Sequence, residues 1–438
     1  MKLSNAEGSE ICGAGACSGI DNRDADAIYC NLYLHRGEIC YMDIFKKCFE
    51  PSFVDEIREK EIYPYFHALE SRQDTEVIME GKRRIMLGSN NYLGLTTNPD
   101  VIEAGIKAFR EYGSGCSGSR FLNGTLELHL ELEAELARFL RKEGVVTFST
   151  GFQSNLGIIS ALVGRGDYVI MDRENHASLY DGCRLSLGKM LRYRHNDMEN
   201  LEQLLKTVPE NAGSLIVTDG VFSMGGDIAN LPEICRLAKR YGARVMVDDA
   251  HGLGVIGEGG RGTASYYGLE DDVDVYMGTF SKSLASLGGY MAASARVADY
   301  VRHASRPFIF SASITPAGCA AALAALRTLE AHPELPETLQ ARARYIRKKL
   351  RDENIRIRES NGEIIPIIPI YTYEPVTTLT IAKELYGRGV YVNSSLPPAT
   401  APTECLLRTS LMATHTEALI DEAVGIIADV LRQHGIGE

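Results

Sequence analysis

Between residues 145 and 277, five short apolar runs alternate with stretches of helical periodicity, and this rhythm constrains the fold more than any other feature of the chain. The runs are Val145-Val-Thr-Phe, Tyr168-Val-Ile-Met, Ser214-Leu-Ile-Val-Thr, Arg244-Val-Met-Val and Val273-Asp-Val-Tyr-Met. Residues 155–163, 177–187 and 231–241 between them read as helices. Strands apolar on both faces, each followed by a helix, predict an α/β fold with a mostly parallel sheet covered on both sides. Beyond about residue 325 the pattern changes to long helical segments (335–352, 378–387, 416–435) with short strands near 364–371 and 406–411. The expected organisation is an N-terminal segment (42–95), a large domain (96–325) and a smaller C-terminal α/β domain (326–438).

Composition narrows the functional classes. With 46 basic and 58 acidic residues the formal charge is −12, and no Lys/Arg-rich cluster offers a phosphate-backbone footprint, so nucleic acid is not an expected partner. The ten cysteines include no C-x-x-C pair and no His-rich neighbour, which predicts neither a zinc site nor a disulfide framework and fits a reducing cytoplasm. No apolar run approaches the eighteen or so residues of a membrane span. Residues 1–41 carry four of the cysteines and Gly-Ala-Gly-Ala without a steady period or the features of a signal peptide, and are expected to be a disordered extension. From Met42 an amphipathic helical pattern begins, through Ile44, Phe45, Phe49, Phe53, Val54 and Ile57.

In open parallel sheets ligands bind at the carboxyl ends of the strands, and here those ends are polar. They read Ser149-Thr-Gly-Phe, Asp172, Asp219, Asp248-Asp249 and Gly278-Thr-Phe-Ser-Lys282. By contrast Gly257-Glu-Gly-Gly-Arg-Gly262 satisfies G-x-G-x-x-G but does not lie between a strand and a helix, so it reads as a turn. A lone Lys or Asp is usually a solvated surface charge. An Asp-x-x-His at one strand end and a Thr-x-x-Lys about thirty residues on, at the next, is a different matter. The acid can pair with a protonated pyridine nitrogen and the lysine can form an imine with an aldehyde, which together describe a pyridoxal-phosphate (PLP) site.

Several ordered blocks carry a family resemblance from about Tyr63 to the C-terminus. They are Ser89-Asn-Asn-Tyr-Leu-Gly-Leu, Tyr112-Gly-Ser-Gly-Cys-Ser-Gly-Ser-Arg-Phe-Leu-Asn-Gly-Thr, Ser149-Thr-Gly-Phe-Gln-Ser-Asn, Asn175-His-Ala-Ser, Asp219-Gly-Val-Phe-Ser-Met, Asp248-Asp-Ala-His-Gly and the lysine block. In these the chain resembles the α-oxoamine synthases, PLP-dependent transferases of fold type I (aspartate aminotransferase-like). The resemblance implies a Schiff-base lysine at Lys282, which also serves as base, and an acid at Asp248 for the pyridine nitrogen. It implies His251 and Ser223 at the ring oxygen, and His176 stacked on the ring. Gly151, Phe152 and Thr279 would bind the phosphate, with Ser311 and Ser313 reaching that of a neighbouring subunit, so a homodimer is expected. Asn90 and Arg408 would face the substrate, Arg408 clamping its carboxylate. No metal is implied.

Within the family, Ile62-Tyr-Pro-Tyr-Phe, Thr279-Phe-Ser-Lys-Ser-Leu-Ala-Ser and Leu411-Met-Ala-Thr-His-Thr look most like the branch that condenses L-serine with a long-chain acyl-CoA. Other branches, using glycine with acetyl-CoA, alanine with a pimeloyl thioester, or cysteate with a fatty thioester, share the machinery. An aminotransferase or aldolase-type enzyme, or a non-catalytic PLP-fold subunit or regulator, would keep the fold; a silent subunit should lack the lysine and a regulator should carry a basic DNA-binding module. Two departures stand out. Gly225 replaces an acid common in the family, and Glu61-Ile-Tyr-Pro has no arginine before Tyr-Pro, which disfavours a dicarboxylic acyl chain.

Overall fold

The structure, a computed structural model, describes residues 43–397 and 399–436. The expected extension over residues 1–41 lies outside them. Residues 43–56 form one unit and residues 57 onward a second. Pro51 interrupts the anticipated amphipathic helix: a 3-10 turn spans Lys46–Cys48, and α-helix resumes only at Phe53–Glu59. Ile44, Phe45 and Phe49 are exposed.

In the second unit, β1 (Glu76–Met79) and β2 (Lys82–Met86) form a hairpin. The central sheet follows, with β3 (Gly144–Phe148), β4 (Tyr168–Asp172), β5 (Lys189–Tyr193), β6 (Ser214–Asp219), β7 (Arg244–Asp248), β8 (Val275–Thr279) and β9 (Gly289–Ala293). Its strand order is β3-β9-β8-β7-β6-β4-β5; only β9 runs against the rest. All five runs expected as strands are strands, the last starting two residues later than its apolar run and so ending at Thr279.

Alternation along these strands explains why they carry no polar face. Ile170, Ile216, Val245 and Val247 point into one apolar cluster, while Val169, Met171, Leu215, Val217, Met246 and Met277 point into a second. The sheet separates two cores, and each fully buried aliphatic side chain contributes about 1.5–3 kcal/mol. The acids Asp172, Asp219 and Asp248 stand at the C-terminal ends, where strands give way to helices.

Four strands complete the fold: β10 (Ile367–Tyr373), β11 (Val390–Tyr391), β12 (Asn393–Ser395) and β13 (Cys405–Ser410). β13 lies between β10 and β12, and β11 extends the β1–β2 hairpin by pairing parallel to β2. The first strands of the unit are thereby joined to chain some 300 residues later. The Gly257–Gly262 run forms a 3-10 turn at Glu258–Gly260. Among the described residues no helix is long and apolar enough to cross a membrane.

Candidate active site

Asp219, Asp248, Lys282 and the turn into the helix at Gly151 gather at one site, whereas Asp172 turns to His195 and the Asn196 N–H and Asp249 to Thr263. Asp248 closes β7 almost completely buried, its Oδ2 accepting from Asn155 Nδ2 at 2.7 Å and its Oδ1 from the Ala250 N–H at 3.0 Å. Asn155 sits one helical turn beyond Gly151 on the helix Gly151–Leu162, and its amide also donates to Ser178 Oγ at 2.8 Å. Ser178 Oγ lies 2.7 Å from His176 Nδ1, and the His176 N–H donates to Asp219 Oδ2 at 2.7 Å. A continuous polar chain thus fixes the ends of β6 and β7 to the two helices that start above them. His176, the N-cap of the helix Ala177–Leu185, sets its ring edge-on to Phe152 at 6.4 Å.

Lys282 follows β8 by three residues and feels Asp248, Arg408 and Asp219. Burial pushes its ammonium down to about 8; the two carboxylates limit that fall and the guanidinium adds to it. Burial, reinforced by the charge of Asp248, raises the Asp219 carboxyl well above the usual range. His176 is lowered by burial and by Lys282, against the pull of Asp248. His251 is lowered much further, by burial and then by Lys282, Arg408 and His176, so its imidazole is neutral.

On the opposite wall Arg408 projects from β13, 5% exposed, donating from Nε to the Ser223 carbonyl at 2.6 Å and from Nη2 to Asn90 Oδ1 at 3.0 Å. Ser223 therefore meets the site first through its backbone. The loop bearing Asn90 is stitched to β13 and the residues beyond it by Ser410 N to Leu87 O, Ser410 Oγ to Ser89 O and Ala413 N to Tyr92 O.

The residues fit PLP. At the start of its helix, Gly151 lies so close to Thr279 that a Cβ would stand 2.9 Å from Thr279 Oγ1, so glycine leaves the helix N–H groups open to receive an anion. Thr279 Oγ1 contacts Ser281 Oγ at 2.9 Å and the Gly288 carbonyl at 3.0 Å, which holds it at the cradle's edge. Lysine, carboxylate, neutral imidazole and anion cradle are all present in one cleft. Within its own chain, Ser313 Oγ donates toward the Gly124 carbonyl at 2.6 Å and lies 3.1 Å from that of Gly118. Ser311 is half-buried beside Ala312, whose carbonyl accepts from Ser149 Oγ.

The class I and II aminotransferase family matches residues 82–427. Serine palmitoyltransferase of Sphingobacterium spiritivorum is 50% identical over 87% of this chain and 95% of its own length. The chain belongs to the α-oxoamine synthases of that family. Another relative, 8-amino-7-oxononanoate synthase of Geobacter sulfurreducens, is 43% identical over 87% of the α-oxoamine synthase described here and 98% of its own length. A high-resolution structure of SPT solved with PLP superposes with a TM-score of 0.85 at 39% identity, over 87% of this chain and 96% of that one.

Three contacts at the site escape a reading by motif. Asn155 anchors Asp248, Tyr92 contacts His251, and Asp219 carries the His176 backbone. Each lies inside a recognised block, but its partner is distant in sequence. A second polar cluster lies outside the cleft, where Glu174, His195 and Asp227 present ligand-type atoms within 4.8 Å of one another. The Arg358 guanidinium, 3.4 Å from Glu174 and 3.3 Å from Asp227, holds the place a cation would take.

Proposed function

We propose that this enzyme condenses L-serine with a long-chain acyl-CoA, palmitoyl-CoA by preference, releasing CoA and CO2 and forming 3-ketodihydrosphingosine, the first step of sphingolipid synthesis. The observation that carries the reading is 50% identity to a serine palmitoyltransferase across nearly the whole of that relative, on a cleft that fits PLP. The 43% identity to an 8-amino-7-oxononanoate synthase supports alanine and a pimeloyl thioester as the second reading.

Bound in the cleft, PLP supplies the electron sink that makes the amino acid's α-carbon a nucleophile. Lys282 holds the cofactor and, with an amine near neutrality at about 8, takes the α-proton on Nζ. Asp248, pinned by Asn155, would accept the pyridine N–H. His251, with Ser223, would donate to the ring oxygen, and His176 would flank the ring. Gly151, Phe152 and Thr279 would hold the phosphate. Arg408 offers its planar fork to the serine carboxylate, with Asn90 steadying the fork from the side. Orientation by that clamp keeps the α-hydrogen facing Lys282.

The active unit is proposed to be a cytoplasmic homodimer with Ser311 and Ser313 at the shared border. The exposed apolar side chains of Leu122 (77%) and Phe310 (74%) support an interface there. The test is carboxyl-labelled serine supplied with palmitoyl-CoA: stoichiometric labelled CO2 and free CoA thiol are expected. A keto acid with neither CO2 nor thiol would mean transamination.

A further inference from the structure

Tyr92 is fully buried, and its hydroxyl lies 2.6 Å from His251 Nδ1 and 3.3 Å from Asn90 Oδ1. It carries one proton, and two arrangements satisfy the geometry. In one, the hydroxyl donates to Nδ1 and the imidazole proton sits on Nε2. In the other, Nδ1 donates to the phenol oxygen and the hydroxyl donates to Asn90. The distances choose the first. The contact to His251 is short and that to Asn90 is long, while Asn90 Oδ1 already accepts from Arg408 at 3.0 Å.

We infer that Tyr92 is a positioning residue that fixes the tautomer of His251, making Nδ1 the acceptor and presenting Nε2–H to the cleft as a donor. Among the described residues the hydrogen bond of the His251 ring is made through Nδ1, which leaves the Nε2 proton available to a ligand oxygen. Two further observations agree. Burial raises the Tyr92 phenol against the charge and hydrogen bond of Arg408, a donor only, so the phenol keeps its proton; burial beside Lys282 and Arg408 keeps His251 neutral, so only one ring nitrogen bears hydrogen. The Tyr92 carbonyl, accepting from Ala413 N at 2.7 Å, ties the phenol to the segment that follows the Arg408 strand. The titratable and charged groups facing His251 are Lys282, Arg408 and His176, none of them an acid that would favour the doubly protonated ring.

The consequence for the cofactor rests on His251 meeting its ring oxygen; the tautomer itself does not. The two are therefore separated by experiment. Nitrogen-15 histidine spectra of the PLP-loaded enzyme, assigned by the signal lost in His251→Asn, should show an unprotonated Nδ1 and a protonated Nε2. A protonated Nδ1 overturns the inference without any variant of Tyr92. In Tyr92→Phe the Nδ1 signal should move toward that of a nitrogen with no donor, and the pH midpoint of the cofactor's visible band should shift. With serine, kcat should fall about two- to tenfold while KM changes less, the loss of one neutral hydrogen bond. A Tyr92→Phe enzyme with both the same Nδ1 signal and the same midpoint would show that the cofactor alone sets the tautomer, and would overturn the role of Tyr92. If the visible band were absent from the wild-type enzyme, the PLP reading would fail instead.

Discussion

Lys282 shows how placement tunes one side chain. An ordinary lysine, with a value near 10.5, would be almost wholly protonated at neutral pH; buried after β8, it is held at about 8. Capture of free PLP by the apoprotein requires the neutral amine, so its rate, followed by the growth of visible absorbance, should rise to half its plateau near pH 8. A half-rise near 10 would show an amine that is solvated rather than buried. Arg408 makes a second prediction at this scale. Arg408→Lys keeps the charge but loses the fork, and hydrogen bonds to charged groups are worth about 1.5–3 kcal/mol, so KM for serine should rise roughly ten- to a hundredfold. KM for the acyl-CoA should change little. Lysine, aspartate and histidine were all readable in the sequence because the chemistry demands those residue types at the ends of successive strands. Tyr92 was not, since nothing local indicates that its hydroxyl meets a histidine 159 positions away.

Among the elements, those that alternate apolar strand with helix were legible, and those lacking that contrast were not. β9, Gly289-Tyr-Met-Ala-Ala, has no β-branched residue, and β5 is a half-exposed strand at the sheet edge; neither announces itself. The loop after β6 is more specific to this chain. A Cβ at Gly225 would come 2.2 Å from Asp227 Oδ2, so the glycine lets that carboxylate fold toward His195 and Arg358. Burial alone would depress His195, but the hydrogen bond to Asp172 and the nearby Asp227 carboxylate at 3.5 Å outweigh it and lift the imidazole to about 10. A folded-state value above the ordinary 6.5 means stabilisation that is complete below about pH 6.5 and lost as pH rises through about 10. The wild type should therefore exceed His195→Gln by about 1–3 kcal/mol in urea unfolding at pH 6, with the difference shrinking toward pH 10. A pH-independent difference would contradict a protonated His195.

For the whole molecule, the large sheet and its helices follow from local pattern, but the small sheets do not. β2 pairs with β11 across about 300 residues, and no periodicity in either segment names its partner. The same limit applies to assembly. Leu122 and Phe310 stand exposed, an arrangement a water-facing surface does not require, and sedimentation at micromolar concentration should give about twice the 48.1 kDa chain mass. Leu122→Asp with Phe310→Asp should shift it toward monomer and reduce activity in parallel; a monomeric wild type at full activity would refute the shared site. The central claim, serine as the amino acid and a long acyl chain as its partner, is tested most directly by one titration. The PLP-loaded enzyme is titrated with serine, glycine, alanine and cysteate while its visible spectrum is recorded, and palmitoyl-CoA is then added with assay of free thiol. Saturation by serine followed by thiol release is the predicted result. Saturation by alanine, with thiol released only from a pimeloyl thioester, would contradict it.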